Sequence, residues 1–150
     1  MVVKVISPAT PAGTVLAFDF GTRRIGVAIG ETSTGIAHPL TTIGDASEGR
    51  RFEAIAALLQ TWHPVALVVG LPTHADGSAH QMTVRAQRFG RQLEGRFGLP
   101  VAFCDERFTT QAATLSLHGA GGRARDRKAV RDQVAAQLIL QAYLDQRRTS

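Results

Sequence analysis

The chain's 150 residues make one ordinary domain, long enough to bury a core, and its 44% hydrophobic and 19% charged content excludes a disordered protein. No apolar run approaches the roughly 18 residues that cross a bilayer, and a single cysteine, Cys104, excludes an internal disulfide and a cysteine-based zinc site. The net charge of +5 is almost wholly arginine, with Lys4 and Lys128 the only lysines, and the planar guanidinium fork suits a phosphate-bearing polyanion.

Residues 1–13, MVVKVISPATPAG, hold one lysine, a short apolar patch and two prolines. They lack the continuous apolar core of a signal peptide, so they read as a flexible leader, and the cytoplasm is the expected compartment. Three extended segments follow, Val15–Phe18, Ile25–Ile29 and a weaker one over Ile36–Ile43, whose short glycine-containing connections favour antiparallel neighbours. From Ser47 the positions Phe52, Ile55, Ala56, Leu58, Leu59 and Trp62 recur at helical spacing and stop before Pro64. Val65–Val69 is a continuous apolar run closed by Gly70 and Pro72, the pattern of a strand buried on both faces. A helix is predicted from Ser78 to Arg96, ended by Gly98 and Pro100, and then a buried strand, Val101–Cys104, which delivers Asp105 and Glu106. Short helical character over Thr110–Leu117 leads into a loop, 119-GAGGRARD-126, and the last helix runs from Lys128 to Gln146. Three antiparallel strands followed by strands alternating with helices predict one α/β domain over 14–147, a mixed sheet with helices on both faces.

Within this plan some carboxylates stand where solvation is poor. Asp19 ends the first apolar strand, Asp105 and Glu106 end the last, and Asp132 shares a helical stripe with Ala135, Ala136, Ile139 and Tyr143, while Gln133, Gln137 and Gln141 form a polar stripe on another side of that helix. Each has a plain reading: Asp19 caps a turn, Asp132 is a first-turn acid favoured by the helix N-terminus, and Glu106 pairs with Arg107. A shared reading covers all of them. Carboxylates gathered in one pocket repel unless cations join them, and oxygen ligands without a cysteine or histidine cluster suit Mg²⁺ or Mn²⁺. Such a site can activate water for phosphodiester hydrolysis.

The segments 17-AFDFGTRRIGVAIGE-31, 37-AHPLTTI-43, 69-VGLPTHADGS-78, 104-CDERFTT-110 and 132-DQVAAQLILQAYLD-145, in that order, resemble the YqgF/RuvX family. This is a bacterial group of the RNase H-like superfamily, described as Holliday-junction resolvases and as pre-16S rRNA nucleases. The resemblance spans Val15 to Asp145. It implies an RNase H-like fold with a five-stranded mixed sheet whose first three strands are antiparallel. It also implies an acidic triad at Asp19, Glu106 and Asp132 that holds divalent metal for phosphodiester cleavage. The expected partner is nucleic acid, either precursor rRNA on the assembling small ribosomal subunit or branched DNA, and not a membrane. Phosphate contacts are expected from Thr22, Arg23 and Arg24 beside Asp19, from Arg107 and Thr109, and from the basic run Arg123, Arg125, Arg127, Lys128 and Arg131. The chain departs from the family pattern at Gly30-Glu31, where Ser-Asp is common, and at Arg131, where an apolar residue is usual. Glu31, Asp105 and Asp126 are candidates for a fourth metal ligand. The rival reading is a non-catalytic RNA-binding assembly factor, which would use the arginines but would not need inward carboxylates. An actin-like ATPase, which shares the DxGT turn, would need a second domain for which 150 residues leave no room.

Overall fold

The computed structural model describes residues 12–21, 23–44, 47–72, 81–105 and 124–148. The elements are β1 (Thr14–Phe20), β2 (Ile25–Glu31), β3 (Ile36–Ile43), α1 (Glu48–Trp62), β4 (Ala66–Leu71), α2 (Gln81–Phe97), β5 (Val101–Asp105) and α3 (Ala124–Arg148). The five strands form one sheet in the order β3-β2-β1-β4-β5. β1, β2 and β3 pair antiparallel, while β4 runs parallel to both β1 and β5. This is the five-stranded mixed sheet that the sequence predicts.

Local chemistry accounts for the element ends. Ser47 caps α1 by accepting from the Arg50 N–H, and His63 closes the helix in the left-handed region at φ 48°, donating its N–H to the Leu59 carbonyl at 2.9 Å. Gly98 closes α2 at φ 68° with an N–H to the Glu94 carbonyl at 2.9 Å, the job that only a residue without a Cβ does cheaply. The Thr83 hydroxyl, buried near the start of α2, donates to the Pro72 carbonyl beyond β4. Pro39 is tolerated because β3 is an edge strand, and Leu40 beside it is the extra residue of a bulge between the Val27–Thr41 and Ala28–Pro39 pairs.

The sheet has two unlike faces. Leu16, Phe18, Ile25, Val27, Leu67 and Val69 pack under α1 and α2 with Phe52, Ile55, Phe89 and Leu93. On the other face Val15, Ala17, Ala28, Ala37, Ala66, Val68, Ala102 and Cys104 receive Ala136, Ile139, Leu140, Tyr143 and Leu144 of α3. Burial pushes the Tyr143 hydroxyl above the ordinary phenol range, and the Arg147 guanidinium pulls it the other way.

Two expectations change here. The segment assigned to a loop through residue 126 is helical from Ala124, so Arg125, Arg127, Lys128 and Arg131 lie on α3 itself. The physical reason is composition: after Gly122 the run ARDRKAV contains no glycine or proline and consists mostly of good helix formers. The glutamine stripe of α3, read as a polar face set apart from the sheet, instead clasps its open edge. Gln137 Nε2 donates to the Ala37 carbonyl at 3.1 Å, and Gln141 Nε2 donates to the Gly35 carbonyl at 2.7 Å. The Ala37 N–H in turn donates to Gln141 Oε1 at 3.0 Å. Side-chain amides thus serve backbone groups at the free edge of β3 and in the turn before it. Among the described residues no helix is long and apolar enough to cross a membrane. Residues 1–11 of the expected leader and the short helix expected over Thr110–Leu117 lie outside the described residues.

Candidate functional site

Alternation along β1 fixes the direction of Asp19. Val15 and Ala17 belong to the α3 side and Leu16 and Phe18 to the α1/α2 side, so Asp19 falls on the α3 side near the C-terminal end of its strand. Its cross-strand partner is Gly26 of β2. On that glycine rests the backbone of Asp132: a Cβ built on Gly26 would lie 2.0 Å from the Asp132 carbonyl oxygen and 3.0 Å from its Cβ. Opposed residues of an antiparallel pair stand about 4.5–5.5 Å apart at Cα, so the Asp132 backbone rests on the residue that faces Asp19 across the hairpin. Asp132 is the ninth residue of α3, well past the first turn, which removes the helix-dipole reading of this acid.

The approach is secured next door. Thr42 of β3, the cross-strand partner of Gly26, donates its hydroxyl to the Ala129 carbonyl at 2.8 Å and accepts from Gln133 Nε2 at 3.2 Å. These contacts pin α3 on either side of Asp132. Reading the sequence missed them, although the repeat Gly26-Ala28-Gly30 signals a strand face cleared for a helix. The β1–β2 turn is equally tight. A Cβ on Gly21 would meet the Arg24 carbonyl oxygen at 2.6 Å, and Arg51 of α1 donates from Nη1 to the Gly21 carbonyl at 3.3 Å.

Arg24, expected as a phosphate ligand, is held first by the site. Its Nε donates to Asp132 Oδ2 at 2.6 Å, with the two side chains 36% and 20% exposed. A pair this open is screened by solvent and adds little stability; its effect is to orient the carboxylate and to keep a cation beside it. Arg23, Lys128 and Arg131 are exposed, the last two on the solvent side of α3.

The fourth-ligand candidates separate. Glu31 stands at the far end of β2, opposite Thr14, whose hydroxyl donates to Glu31 Oε1. The Gly30-Glu31 departure from the family pattern is therefore remote from Asp19 and does not shape the rim of the site. Asp105 ends β5 beside Leu71; alternation from Ala102 and Cys104 assigns it to the α1/α2 side, away from Asp132. The backbone at Asp126 lies on α3. Glu106, Thr22, Arg107, Thr109 and Arg123 lie outside the described residues, as do the side chains of Arg125 and Arg127. Among the described residues no three of histidine, cysteine, aspartate and glutamate stand close enough to share a metal ion. Two aspartates on the α3 side of the sheet, one of them paired with Arg24, are what the described residues supply, and hard oxygen donors of this kind fit Mg²⁺ or Mn²⁺.

The chain is similar to known proteins over most of its length. A family profile described as "RuvX: Holliday junction resolvase" matches residues 13–146. A protein of Nitrosomonas eutropha named "Putative pre-16S rRNA nuclease" is 58% identical over 134 residues, covering 89% of this chain and 85% of that one. A protein of the same name from Nitrosomonas europaea is 55% identical over 134 residues, covering 89% and 90%. Among solved structures, T. thermophilus RuvC in complex with a Holliday junction substrate superposes with a TM-score of 0.55 at 16% identity, covering 89% of this chain and 95% of that one. That similarity establishes the RNase H-like fold.

Proposed function

The chain belongs to the RuvX family, and on that footing we propose that it is a metal-dependent endonuclease that matures the 5′ end of pre-16S rRNA on the assembling small ribosomal subunit. The observation that supports the reading is the seat of the Asp132 backbone on Gly26, the cross-strand partner of Asp19, at the turn end of the β1–β2 hairpin. RNA binding alone does not call for an inward aspartate of α3 held over the partner of Asp19. Asp19 and Asp132 on one face of the sheet would repel one another, and cations, Arg24 among them, offset that repulsion.

Asp19 and Asp132 are the ligands named here, with Glu106, the residue after β5, proposed as the third. A divalent ion bound by them supplies Lewis-acid charge on the phosphodiester and an acidified water. Around it the chain's own residues have separate tasks. Gly26 and Thr42 fix the height of Asp132 over the sheet, and Gly21 keeps the turn short. Arg24 orients the Asp132 carboxylate through its Nε and keeps positive charge beside it. Arg23, exposed at the hairpin tip, meets the flanking backbone.

The test is cleavage by purified protein, with Mg²⁺ or Mn²⁺, of an RNA carrying the 16S 5′ precursor and of a four-way DNA junction. We expect the RNA to be cut, and Asp19→Asn and Asp132→Asn each to abolish cutting while both variants stay folded. Wild type that cuts neither substrate, or variants that cut as fast, would sink the assignment. The family's description as a Holliday junction resolvase favours the second reading, which the same experiment decides: cutting of the junction and not of the RNA selects it.

A further inference from the structure

The reverse side of the same hairpin carries a cavity that this chemistry does not use. Phe20 and Ile25 are cross-strand partners one step beyond Asp19 and Gly26, and both fall on the α1/α2 face. With α1 and α2 they line a cavity of about 370 Å³, within the size range of small-molecule sites. Its wall is aromatic: the Phe20 and Phe89 rings stack at 4.8 Å, and Phe52 lies 6.0 Å from Phe89. Its rim holds three arginines, Arg51, Arg85 and Arg88, with Arg85 and Arg88 exposed. One carboxylate, Glu48, also faces the cavity and accepts from Gln92 Nε2 at 2.9 Å.

Each part selects a feature of the ligand. Three guanidinium groups call for phosphate. A half-buried phenylalanine ring beside them calls for a flat apolar partner. Glu48 and Gln92 together call for hydrogen-bond donors and acceptors on that partner. An inorganic anion satisfies only the first, whereas a nucleotide satisfies all three. The surroundings agree in sign: α1 and α2 carry six arginines against three glutamates and no lysine or aspartate.

We propose that this cavity is a nucleotide subsite, in which one nucleotide of an RNA strand passing over the β1–β2 turn lays its base against Phe20 and its phosphate among Arg51, Arg85 and Arg88. The strand's identity as substrate rests on the nuclease reading; the subsite itself does not. Arg51 joins the two sides, because the same guanidinium that reaches the cavity holds the Gly21 carbonyl of the turn next to Asp19.

The experiment measures binding of a fluorescein-labelled 12-nucleotide single-stranded RNA by anisotropy, in EDTA so that no cleavage intervenes, across a salt series. Arg85→Ala/Arg88→Ala is compared with Arg50→Ala/Arg91→Ala, which removes equal charge from the exposed surface of the same helices without touching the cavity. The cavity pair should weaken binding at least tenfold and reduce the salt slope by about 1.4, two phosphate contacts on a single strand; the surface pair should weaken it less than threefold. Phe20→Leu should cost a further few-fold. Equal losses from both pairs, or no loss from the cavity pair, overturn the subsite. Adenosine monophosphate binding as tightly as the RNA overturns its assignment to a strand. Because binding is read without metal, failure of cleavage would leave this result standing. Cleavage at saturating RNA that survives with the cavity empty of function would leave the carboxylate site standing.

Discussion

The two faces of the sheet divide bulk in opposite ways. Under α1 and α2 the strands bring leucine, isoleucine, valine and phenylalanine, and one helix position yields space: a Cβ on Gly90 would strike the Phe103 ring at 2.4 Å. Under α3 the strands bring glycine, alanine and small branched residues, and the helix brings isoleucine, leucine and tyrosine. Both arrangements exclude water, yet they differ in what sets the helix height. On the first face it is side chain against side chain, which can repack. On the second it is the α3 backbone on Gly26, with no atoms in between. Both faces supply core, but the placement of Asp132 belongs to the side that cannot adjust.

The largest stability effect should come from the adjustable face. Leu93, fully buried on α2, packs among the residues of β1 and β4. Leu93→Ala should cost about 2–5 kcal/mol in urea unfolding, while cleavage per folded molecule stays near wild type. A matching fall in the turnover of folded enzyme would break the division proposed between the two faces.

Much of this division can be read from sequence, though not all of it. The three hairpin strands, the capped α1 and the Gly98 stop are local patterns, and they stand where alternation and helical spacing put them. The inward stripe from Asp132 through Ala136, Ile139 and Tyr143 is likewise a local periodicity, and the last three of these are buried as expected. What alternation could not supply is register between distant segments. That Asp19 meets Gly26, that Gly26 meets Asp132, and that Glu31 faces Thr14 at the other end of the sheet are facts of pairing. The glutamines were misread for the same reason. A stripe of amides has the periodicity of a solvated face, and only the edge position of β3 turns it into backbone partners. The early start of α3 is a different failure: three glycines in 119–122 make a loop certain nearby but do not say where it ends.

Gly26→Ala tests the rigid face at an intermediate cost. The added methyl meets a backbone carbonyl, which has no rotamer to change, so α3 must shift or the strand must bend. Overpacking of this kind costs about 1–3 kcal/mol. Activity should fall further than stability, since displacing a positioned group by about 1 Å can cost roughly a hundredfold. The comparison of turnover with fraction folded decides it: Gly26→Ala should lose turnover that Leu93→Ala retains, although it is the milder lesion in urea. Equal turnover in the two variants would mean that the seat of Asp132 is packing and nothing more.

The smallest effect belongs to the sheet edge, where α3 acts by hydrogen bonding. Gln141→Ala removes the acceptor of the Ala37 N–H and a donor to the Gly35 carbonyl. The net loss should be about 1 kcal/mol, lessened by the better helix propensity of alanine. Its signature is local: amide exchange at Ala37 should quicken while exchange in β1 and β4 follows global stability alone. The direction of the coupling follows from geometry. Gln141 lies nine residues beyond Asp132, about 13 Å along the helix at 1.5 Å per residue, and Thr42 and Gln133 hold the near end independently. Turnover should therefore stay within twofold of wild type. If it falls with the exchange protection, the clasp on β3 and the seat on Gly26 form one mechanical unit, and the height of Asp132 is set by the whole length of α3.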